Sequence, residues 1–401
     1  PLPAYFFKPL FKHPPLFTLL VSLSMKIFGA KLISAGYIPL LFGALMIPLT
    51  YLLAALIFNR NVGMLSAAFM WLDPVNIICS QKVWMETTLA FLIVLSVYLF
   101  MRGFKGRGDI YFVLGGLASG LAVLTKYPGI LSLGIVLLYA TVQKREVFKN
   151  KYFLLGLAMP ALLLALWFYW NYAVYGMGFF VEQAHIHHIL VKLPRTFAVI
   201  ALALILVVFV SINLMRSKKD TGTNMGHRLA IGSPEIKGKL VICVGLLLAV
   251  LIRDQIMHGL QFNYLPMTTW YQGIFTNELP TFYIGRLIEF SALFILSFAA
   301  FFIGMSKDID KKLILYLSSS VILLFFIVWR SYQSRYILPA IPFLVILGVT
   351  FFMQVYQRVS ASRYFWIRVP CAISLKFFLI YVMVKTCYLN AVVSFPNDMC
   401  Y

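Results

Sequence analysis

The sequence predicts an all-α, multi-pass membrane protein, and three observations carry this prediction. Hydrophobic residues make up 62% of the 401-residue chain and charged residues only 12%, whereas an ordinary soluble protein carries about 25% charged residues. Apolar stretches of roughly 20 residues, enough for a transmembrane helix, recur along the chain with short breaks. These stretches are continuous rather than alternating with a period of two, which favours helices over a closed barrel.

We predict about twelve spans in this chain and expect one more upstream of Pro1. The predicted spans cover residues 32–58, 62–79, 84–102, 111–126, 128–143, 152–174, 194–214, 239–257, 283–305, 312–330, 336–356 and 366–388. Alternate gaps between them are strongly basic, and the positive-inside rule places those gaps in the cytoplasm. Topology signals and anionic lipid headgroups therefore account for the net charge of +21, and we expect no nucleic-acid partner.

This topology divides the chain into three parts. Residues 1–31 form an external juxtamembrane segment, residues 32–388 form the transmembrane domain, and residues 389–401 form an external tail. The multi-pass chain is placed in the plasma membrane of a prokaryote or the endoplasmic reticulum of a eukaryote.

Residues 13–30 predict an amphipathic helix that lies along the membrane surface. Pro14 and Pro15 suit the first turn of a helix, where a missing N–H costs little. Polar residues then recur every four positions between apolar ones, at Thr18, Ser22 and Lys26. In the span 111–126, Gly116 and Gly120 form a GxxxG pair, which indicates close packing against another helix.

Polar and aromatic residues concentrate in the gaps predicted to be external. These gaps are SQKVWMETT (80–88), LTKYPG (124–129), NYAVYGMGFFVEQAHIHHILVKLPR (171–195), HGLQFNYLPMTTWYQGIFTNELPTFYIG (258–285) and WRSYQSRYILPAIP (329–342). Such patches on one membrane face are where a water-accessible site forms.

Several motifs occur in the order typical of one enzyme family. They are HPPLF (13–17) followed by IFGAK (27–31), SQKVWMETTLAF (80–91), GLASGLAVLTKYPGIL (116–131) and SYQSRYILPAIPFL (331–344). Together they resemble the polyprenyl-phosphate-dependent GT-C glycosyltransferases, the family that includes protein O-mannosyltransferases and the aminoarabinose transferases of lipid A.

The resemblance implies about a dozen spans, an external active site and inversion of the anomeric carbon. It also implies the partners: a polyprenyl-phosphate-linked sugar, a glycan, lipid or protein acceptor, and membrane lipids. The family's catalytic Asp lies in the first external loop, before the HPPL-like segment. Residues 1–31 contain no Asp or Glu, so either this acid lies upstream of Pro1 or the chain lacks it, and we expect the first.

Transfer of a sugar from a lipid phosphate needs a base for the acceptor hydroxyl and cations for the departing phosphate. Arg335 is the candidate phosphate ligand, with Arg330 as a weaker one, and Lys126 is a candidate for phosphate or sugar contact. For both arginines the alternative is snorkelling to the interface, and Lys126 otherwise marks the end of a span. Neighbouring side chains in the same motifs are further candidates for substrate binding: Tyr127, Gln333 and Tyr336.

Glu86 is the candidate catalytic acid of this chain, as the residue that orients acceptor or sugar. The alternative is a carboxylate favoured by the dipole at the start of its helix. Asp73, inside an apolar run, is either functional or paired with a neighbour such as Lys82 or Lys126. His13, just before the prolines, is either a phosphate or sugar contact or a surface histidine.

One cluster has metal-like composition: Glu182, His185, His187 and His188. It lacks a closed four-ligand pattern, so we expect no metal and no other cofactor, and a divalent cation remains the alternative. His185 and His188 are otherwise candidates for substrate contact.

The sequence as a whole favours a membrane glycosyltransferase that moves a sugar from a polyprenyl-phosphate carrier to an acceptor on the external face. Two alternatives stay open: a transporter or lipid flippase, and a non-catalytic subunit of a glycan-assembly complex. Ionisable residues at the bilayer midplane would favour transport, whereas most of those here fall at predicted external helix ends.

Overall fold

The fold is helical throughout the part of the chain that the computed structural model describes. That part comprises residues 13–181, 287, 293–303, 309–328, 333–361 and 365–392. It contains α-helices and short 3₁₀ turns and no β-strand. The predicted all-α class is therefore confirmed for these residues.

The amino-terminal part of the chain forms a continuous series of helices. They are α1 (Leu16–Phe28), α2 (Leu32–Ile57), α3 (Arg60–Leu72), α4 (Pro74–Gln81), α5 (Glu86–Phe104), α6 (Ile110–Thr125), α7 (Leu131–Gln143) and α8 (Lys151–Tyr175). The later described helices are α9 (Leu293–Ile303), α10 (Ile309–Val328), α11 (Ile341–Ser360) and α12 (Phe365–Val392). Short 3₁₀ turns lie at Tyr127–Ile130, Arg145–Lys149 and Ser334–Ala340.

Four of the described helical segments are long and apolar enough to cross a membrane. They are Leu32–Ile57, Glu86–Phe104, Lys151–Tyr175 and Ser334–Ser360. The pair α3 and α4 passes the same test when taken together, although it bends by 53°. The predicted spans 194–214 and 239–257 lie outside the described residues, so the count of twelve stays a prediction.

The predicted single span 62–79 is in fact two helices that meet at Asp73. Pro74 has no backbone N–H to continue the hydrogen-bond ladder of α3. The Asp73 carboxylate instead accepts a hydrogen bond of 2.8 Å from the backbone N–H of Asn76 and so caps α4. The chain changes direction there because one helix ends and another begins.

Helix α1 forms where the sequence predicts the surface helix, but it starts later. Pro15 precedes the helix as its N-cap, and Leu16 is the first helical residue, so the two prolines lie before the first turn rather than within it. The buried Ser24 hydroxyl donates a 2.6 Å hydrogen bond to the Ser34 carbonyl of α2. The predicted polar stripe is exposed, as is an adjacent apolar stripe: Leu19, Leu23 and Ile27.

The GxxxG pair brings α6 and α8 into close contact, as predicted. A Cβ atom on Gly116 would overlap the Gly156 carbonyl, and one on Gly156 would overlap the Phe112 carbonyl. A Cβ on Gly120 would lie 2.6 Å from the Leu163 side chain. The two backbones therefore approach closely because both helices lack side chains at the crossing.

Among the four long apolar segments, the two that contain α5 and α11 are the most buried, and they position the site. Helix α5 packs against α2, α6 and α7, and its first residues meet the turn Ser334–Ala340 that precedes α11. At the other end of α5, the Lys105 amine donates to the Leu56 carbonyl at the end of α2. The 19 residues of α5 thus separate two chemically different ends of the bundle.

Candidate functional site

Glu86 is the first residue of α5 and is only 5% exposed. The free backbone N–H groups at a helix start favour a negative charge, which explains why a carboxylate is tolerated at this position. Burial of a charge is costly unless opposite charges meet it. Lys126 and Arg335 supply those opposite charges.

Lys126 reaches Glu86 because α6 ends just before it. The backbone of Lys126 is extended, and Pro128 lacks the N–H that would continue the helix. The next turn folds back on α6 because Gly129 has no Cβ, which would otherwise overlap the backbone of Ala122. In this position the Lys126 Nζ lies 3.2 Å from Glu86 Oε1.

Arg335 approaches the same oxygen from the far end of the sequence. It lies in the 3₁₀ turn Ser334–Ala340, and its Nε is 3.6 Å from Glu86 Oε1. The side chains of Lys126 and Arg335 are each 15% exposed. One carboxylate oxygen therefore bridges two cations that retain limited access to the outside. The convergence of Glu86, Lys126 and Arg335, far apart in sequence, is the central geometric feature of the site.

Aromatic rings hold the two cations in place. The Arg335 guanidinium lies 4.3 Å from the centre of the Trp84 ring, and the Lys126 amine lies 4.5 Å from that of Tyr336. Tyr336 in turn stacks on the buried Phe326 of α10, with ring centres 5.5 Å apart. Cations over aromatic faces gain electrostatic attraction from the rings, so the aromatic contacts orient both charges.

Trp84 and Phe326 are site residues that were not predicted from the sequence. Trp84 stands two positions before Glu86 in a gap already noted as aromatic, and that neighbourhood was an available signal. Phe326 lies in an ordinary apolar run, and nothing in its local sequence distinguishes it from other core residues.

Two other candidate substrate-binding residues lie in or next to these elements, and a third precedes α1. Tyr127 begins the turn after Lys126 and lies beside Trp167 of α8. Gln333 is nearly buried, and its backbone carbonyl accepts a 2.9 Å hydrogen bond from the backbone N–H of Tyr336. His13 is partly buried just before α1. Direct contact of these residues with a substrate stays a prediction.

The remaining candidates have different outcomes. Asp73 is buried and caps α4, which gives it a structural role; a catalytic one stays a prediction. Arg330, His185 and His188 lie outside the described residues. Within the described part of the chain, no group of three or more His, Cys, Asp or Glu side chains is arranged to hold a metal ion.

The arrangement suits binding of a small anion. Two cations and one carboxylate carry a net charge of +1 at the start of α5, beside two aromatic rings. Arginine presents a planar pair of donors that matches phosphate oxygens, and lysine adds a mobile point charge. A phosphate group fits this combination.

Comparison with known proteins identifies a family model and a relative that each match part of the chain. Residues 12–170 match the family model described as dolichyl-phosphate-mannose-protein mannosyltransferase. An uncharacterized protein of Aquifex aeolicus (strain VF5) is 35% identical over 166 residues, which are 40% of this chain and 33% of that relative. The matched segment thus spans about a third of the relative's length.

Solved structures share the fold over nearly the whole chain. ArnT from Cupriavidus metallidurans bound to undecaprenyl phosphate has a TM-score of 0.54 at 14% identity, and the match covers 97% of this chain and 65% of ArnT. The archaeal oligosaccharyltransferase AglB from Archaeoglobus fulgidus, in complex with an inhibitory peptide and a dolichol-phosphate, has a TM-score of 0.50 at 16% identity. That match covers 96% of this chain and 48% of AglB.

Proposed function

We propose that this chain is a membrane glycosyltransferase. The family match and the shared fold confirm its resemblance to the polyprenyl-phosphate-dependent GT-C glycosyltransferases. It moves a sugar from a polyprenyl-phosphate carrier to an acceptor on the external membrane face. The observation that carries the proposal is the pair of cations, Lys126 and Arg335, on one buried carboxylate.

The carrier is proposed from charge and from the similar proteins together. A site with a net charge of +1, lined by an arginine and a lysine, favours a phosphate over a neutral sugar or a peptide. The similar ArnT structure contains undecaprenyl phosphate, and the AglB structure contains dolichol-phosphate. The lipid tail would lie among the apolar helices, with the phosphate at the start of α5.

The proposed reaction breaks one bond and forms one. The acceptor oxygen attacks the anomeric carbon of the sugar, and the bond from that carbon to the phosphate oxygen breaks with its electron pair. Negative charge therefore grows on the phosphate as the reaction proceeds. Lys126 and Arg335, already oriented by Glu86 and the aromatic rings, stabilise that charge without having to reorganise.

The proton of the acceptor needs a separate base. Glu86 is committed to two cations through Oε1, which makes it a weak proton acceptor, so we assign it the role of orienting Lys126 and Arg335. The proposed base is the catalytic Asp that the family resemblance implies for the first external loop. Direct participation of Glu86 in catalysis remains the alternative.

The test is a transfer assay with full-length protein in lipid nanodiscs. A synthetic polyprenyl phosphate carries a radiolabelled sugar, and a membrane extract supplies the glycan, lipid and protein acceptors. The proposal expects the label to move from the carrier to an acceptor and the free polyprenyl phosphate to accumulate.

A parallel assay in sealed vesicles separates transfer from transport. Movement of the intact labelled carrier across the bilayer, without release of polyprenyl phosphate, would overturn the transferase proposal in favour of a flippase. Neither transfer nor movement by folded protein would favour a non-catalytic subunit.

A further inference from the structure

The charge of the site differs from what phosphate binding alone would select. Two cations without a counter-ion would hold any phosphate more tightly, yet the chain places the buried Glu86 carboxylate 3.2 Å from Lys126 and 3.6 Å from Arg335. Any phosphate that contacts both cations must therefore lie within a few ångströms of a negative charge. A residue that repels the ligand at such a position calls for an explanation.

The two phosphates of the proposed reaction differ in charge. The donor is a phosphodiester, since its phosphorus is bonded through oxygen to both the lipid and the sugar, and it carries one negative charge. The product is a phosphomonoester, which carries about 1.5 to 2 negative charges at pH 7 because its second pKa is about 6. A net charge of +1 matches the donor and not the product.

We propose that Glu86 is a specificity-determining residue that matches the charge of the site to the singly charged donor and weakens its hold on the doubly charged product. This inference rests on the proposed function, because it assumes that Lys126 and Arg335 bind the lipid phosphate. It adds a role that neither electrostatic stabilisation nor orientation of the cations requires.

The physical basis is that the repulsion from Glu86 scales with the charge on the phosphate. Glu86 is 5% exposed, so water screens its interactions less than those of a surface carboxylate. Repulsion of the product is therefore up to twice that of the donor at the same distance. The attraction of the cations, which helps the phosphate to leave the sugar, is thus partly offset once the product has formed.

The consequence for turnover is faster release of the spent carrier. A site of two unopposed cations would be inhibited by its own product, since the monoester would bind more tightly than the donor. With Glu86 in place, a new donor competes with the product on better terms. Glu86 thus acts on the step after the chemistry as well as on the position of the cations.

The experiment compares the binding of two probes that lack the sugar. One is a short-chain polyprenyl monophosphate and the other is its methyl ester, a phosphodiester with a single charge. Dissociation constants are measured at pH 8, where the monophosphate is doubly charged, with full-length protein in nanodiscs of neutral lipid. We expect the wild-type protein to prefer the monophosphate over the ester by less than about tenfold.

Glu86→Gln should change this preference. The amide oxygen still accepts a hydrogen bond from Lys126, but the negative charge is gone. We expect the affinity for the monophosphate to rise about tenfold or more relative to that for the ester, and product inhibition to strengthen to a similar degree. Glu86→Asp keeps the charge and should keep the wild-type ratio. Lys82→Gln, at an exposed position in the loop before α5, is the control for a change of charge outside the cluster.

Several outcomes would overturn the inference while leaving the proposed function intact. They are an unchanged ratio in Glu86→Gln, the same change in Glu86→Asp as in Glu86→Gln, and a tenfold wild-type preference for the monophosphate. The last needs no variant and decides the matter even if Glu86→Gln fails to fold. Absence of binding for both probes in the wild-type protein would instead overturn the proposed carrier, and the inference with it.

Discussion

Arg335 is held on three sides before any substrate arrives. Glu86 lies 3.6 Å from its Nε, the Trp84 ring lies 4.3 Å from its guanidinium carbon, and Tyr336 lies on a further side at 5.6 Å. A planar guanidinium can stack on a ring and still present donors along its edge. A lysine at this position would keep the charge but lose both the stacking and the paired donors.

The substitution Arg335→Lys should therefore lower turnover much more than it weakens carrier binding. If the contact strengthens as charge grows on the departing phosphate, its loss appears in kcat rather than in KM. Loss of one such donor costs on the order of 3 kcal/mol, or about a hundredfold. The transfer assay with labelled sugar measures both parameters.

Arg358→Lys is the matched control, since Arg358 is exposed in the last turn of α11, at the opposite end of that helix. We expect little effect there. Similar, mild losses at positions 335 and 358 would indicate that Arg335 is an interfacial anchor and not a phosphate ligand.

Among the individual residues of the site, the charged ones are easier to predict from the sequence than the aromatic ones. Glu86, Lys126 and Arg335 could be identified because a charge at the end of an apolar span needs a partner or water. For Trp84 the aromatic gap indicates the region but not the residue, and Phe326 could not be identified, because aromatic residues are common both at membrane interfaces and in cores. The contribution of Trp84 depends on Arg335, more than 240 positions away in the chain, and no local pattern reveals that contact. The contribution of Phe326 depends on stacking with Tyr336 across the turn that follows α10.

Among the elements, the break between α3 and α4 combines Pro74 with the side chain of Asp73, which caps α4. Asp73 accepts the Asn76 N–H at 2.8 Å, and removal of an N-cap costs about 1 kcal/mol. We expect Asp73→Ala to lower the thermal unfolding temperature in detergent, whereas Asp73→Asn should retain the cap, the stability and the transfer activity. An Asp73→Asn protein that is stable but inactive would show that the carboxylate takes part in the reaction.

The crossing of α6 and α8 supplies a second test. Gly116→Ala places a methyl group against the Gly156 carbonyl, and overpacking of this kind costs about 1–3 kcal/mol. Gly134→Ala in α7 is the control, because nothing lies within 4 Å of the added Cβ and alanine favours a helix by about 0.5–1 kcal/mol. The thermal unfolding temperature should fall in Gly116→Ala and rise slightly in Gly134→Ala. Equal unfolding temperatures in the two variants would argue against the close crossing of α6 and α8.

Hydropathy predicts where the helices lie but not where they bend. The bounds of α2 and α8 differ from the predicted spans 32–58 and 152–174 by about one residue, because apolar length is what the membrane requires. The break at Asp73 was missed because the run 62–79 is apolar overall, and a helix followed by Asp-Pro is compatible with either a kink or a new helix.

In the whole molecule, the two ends of the bundle differ in chemistry. The site end carries the Glu86 cluster, and α8 ends on the same side with exposed aromatic residues typical of a membrane interface: Tyr169, Trp170 and Tyr172. The opposite end is basic, with Lys105, Arg107 and Lys311 close to one another. Partial burial of Lys105 and the positive charges of Lys311 and Arg107 lower the pKa of the Lys105 amine. By the positive-inside rule, we propose that the basic end is cytoplasmic.

Cysteine labelling tests this orientation with two exposed positions at opposite ends. In a background without native cysteines, Lys82→Cys should react with a membrane-impermeant maleimide added outside intact cells, and Arg107→Cys should react only after the membrane is opened. The reverse pattern would place the Glu86 cluster on the cytoplasmic side and remove the external active site from the proposal.

The most direct test of the account is an experimental structure of the full-length protein in nanodiscs with a bound polyprenyl phosphate. We expect the phosphate within hydrogen-bonding distance of both the Lys126 amine and the Arg335 guanidinium, with the lipid tail running among the apolar helices. The central claim would be contradicted by a phosphate bound elsewhere, for example at the basic end near Lys105 and Lys311, with no ligand in contact with Lys126 or Arg335.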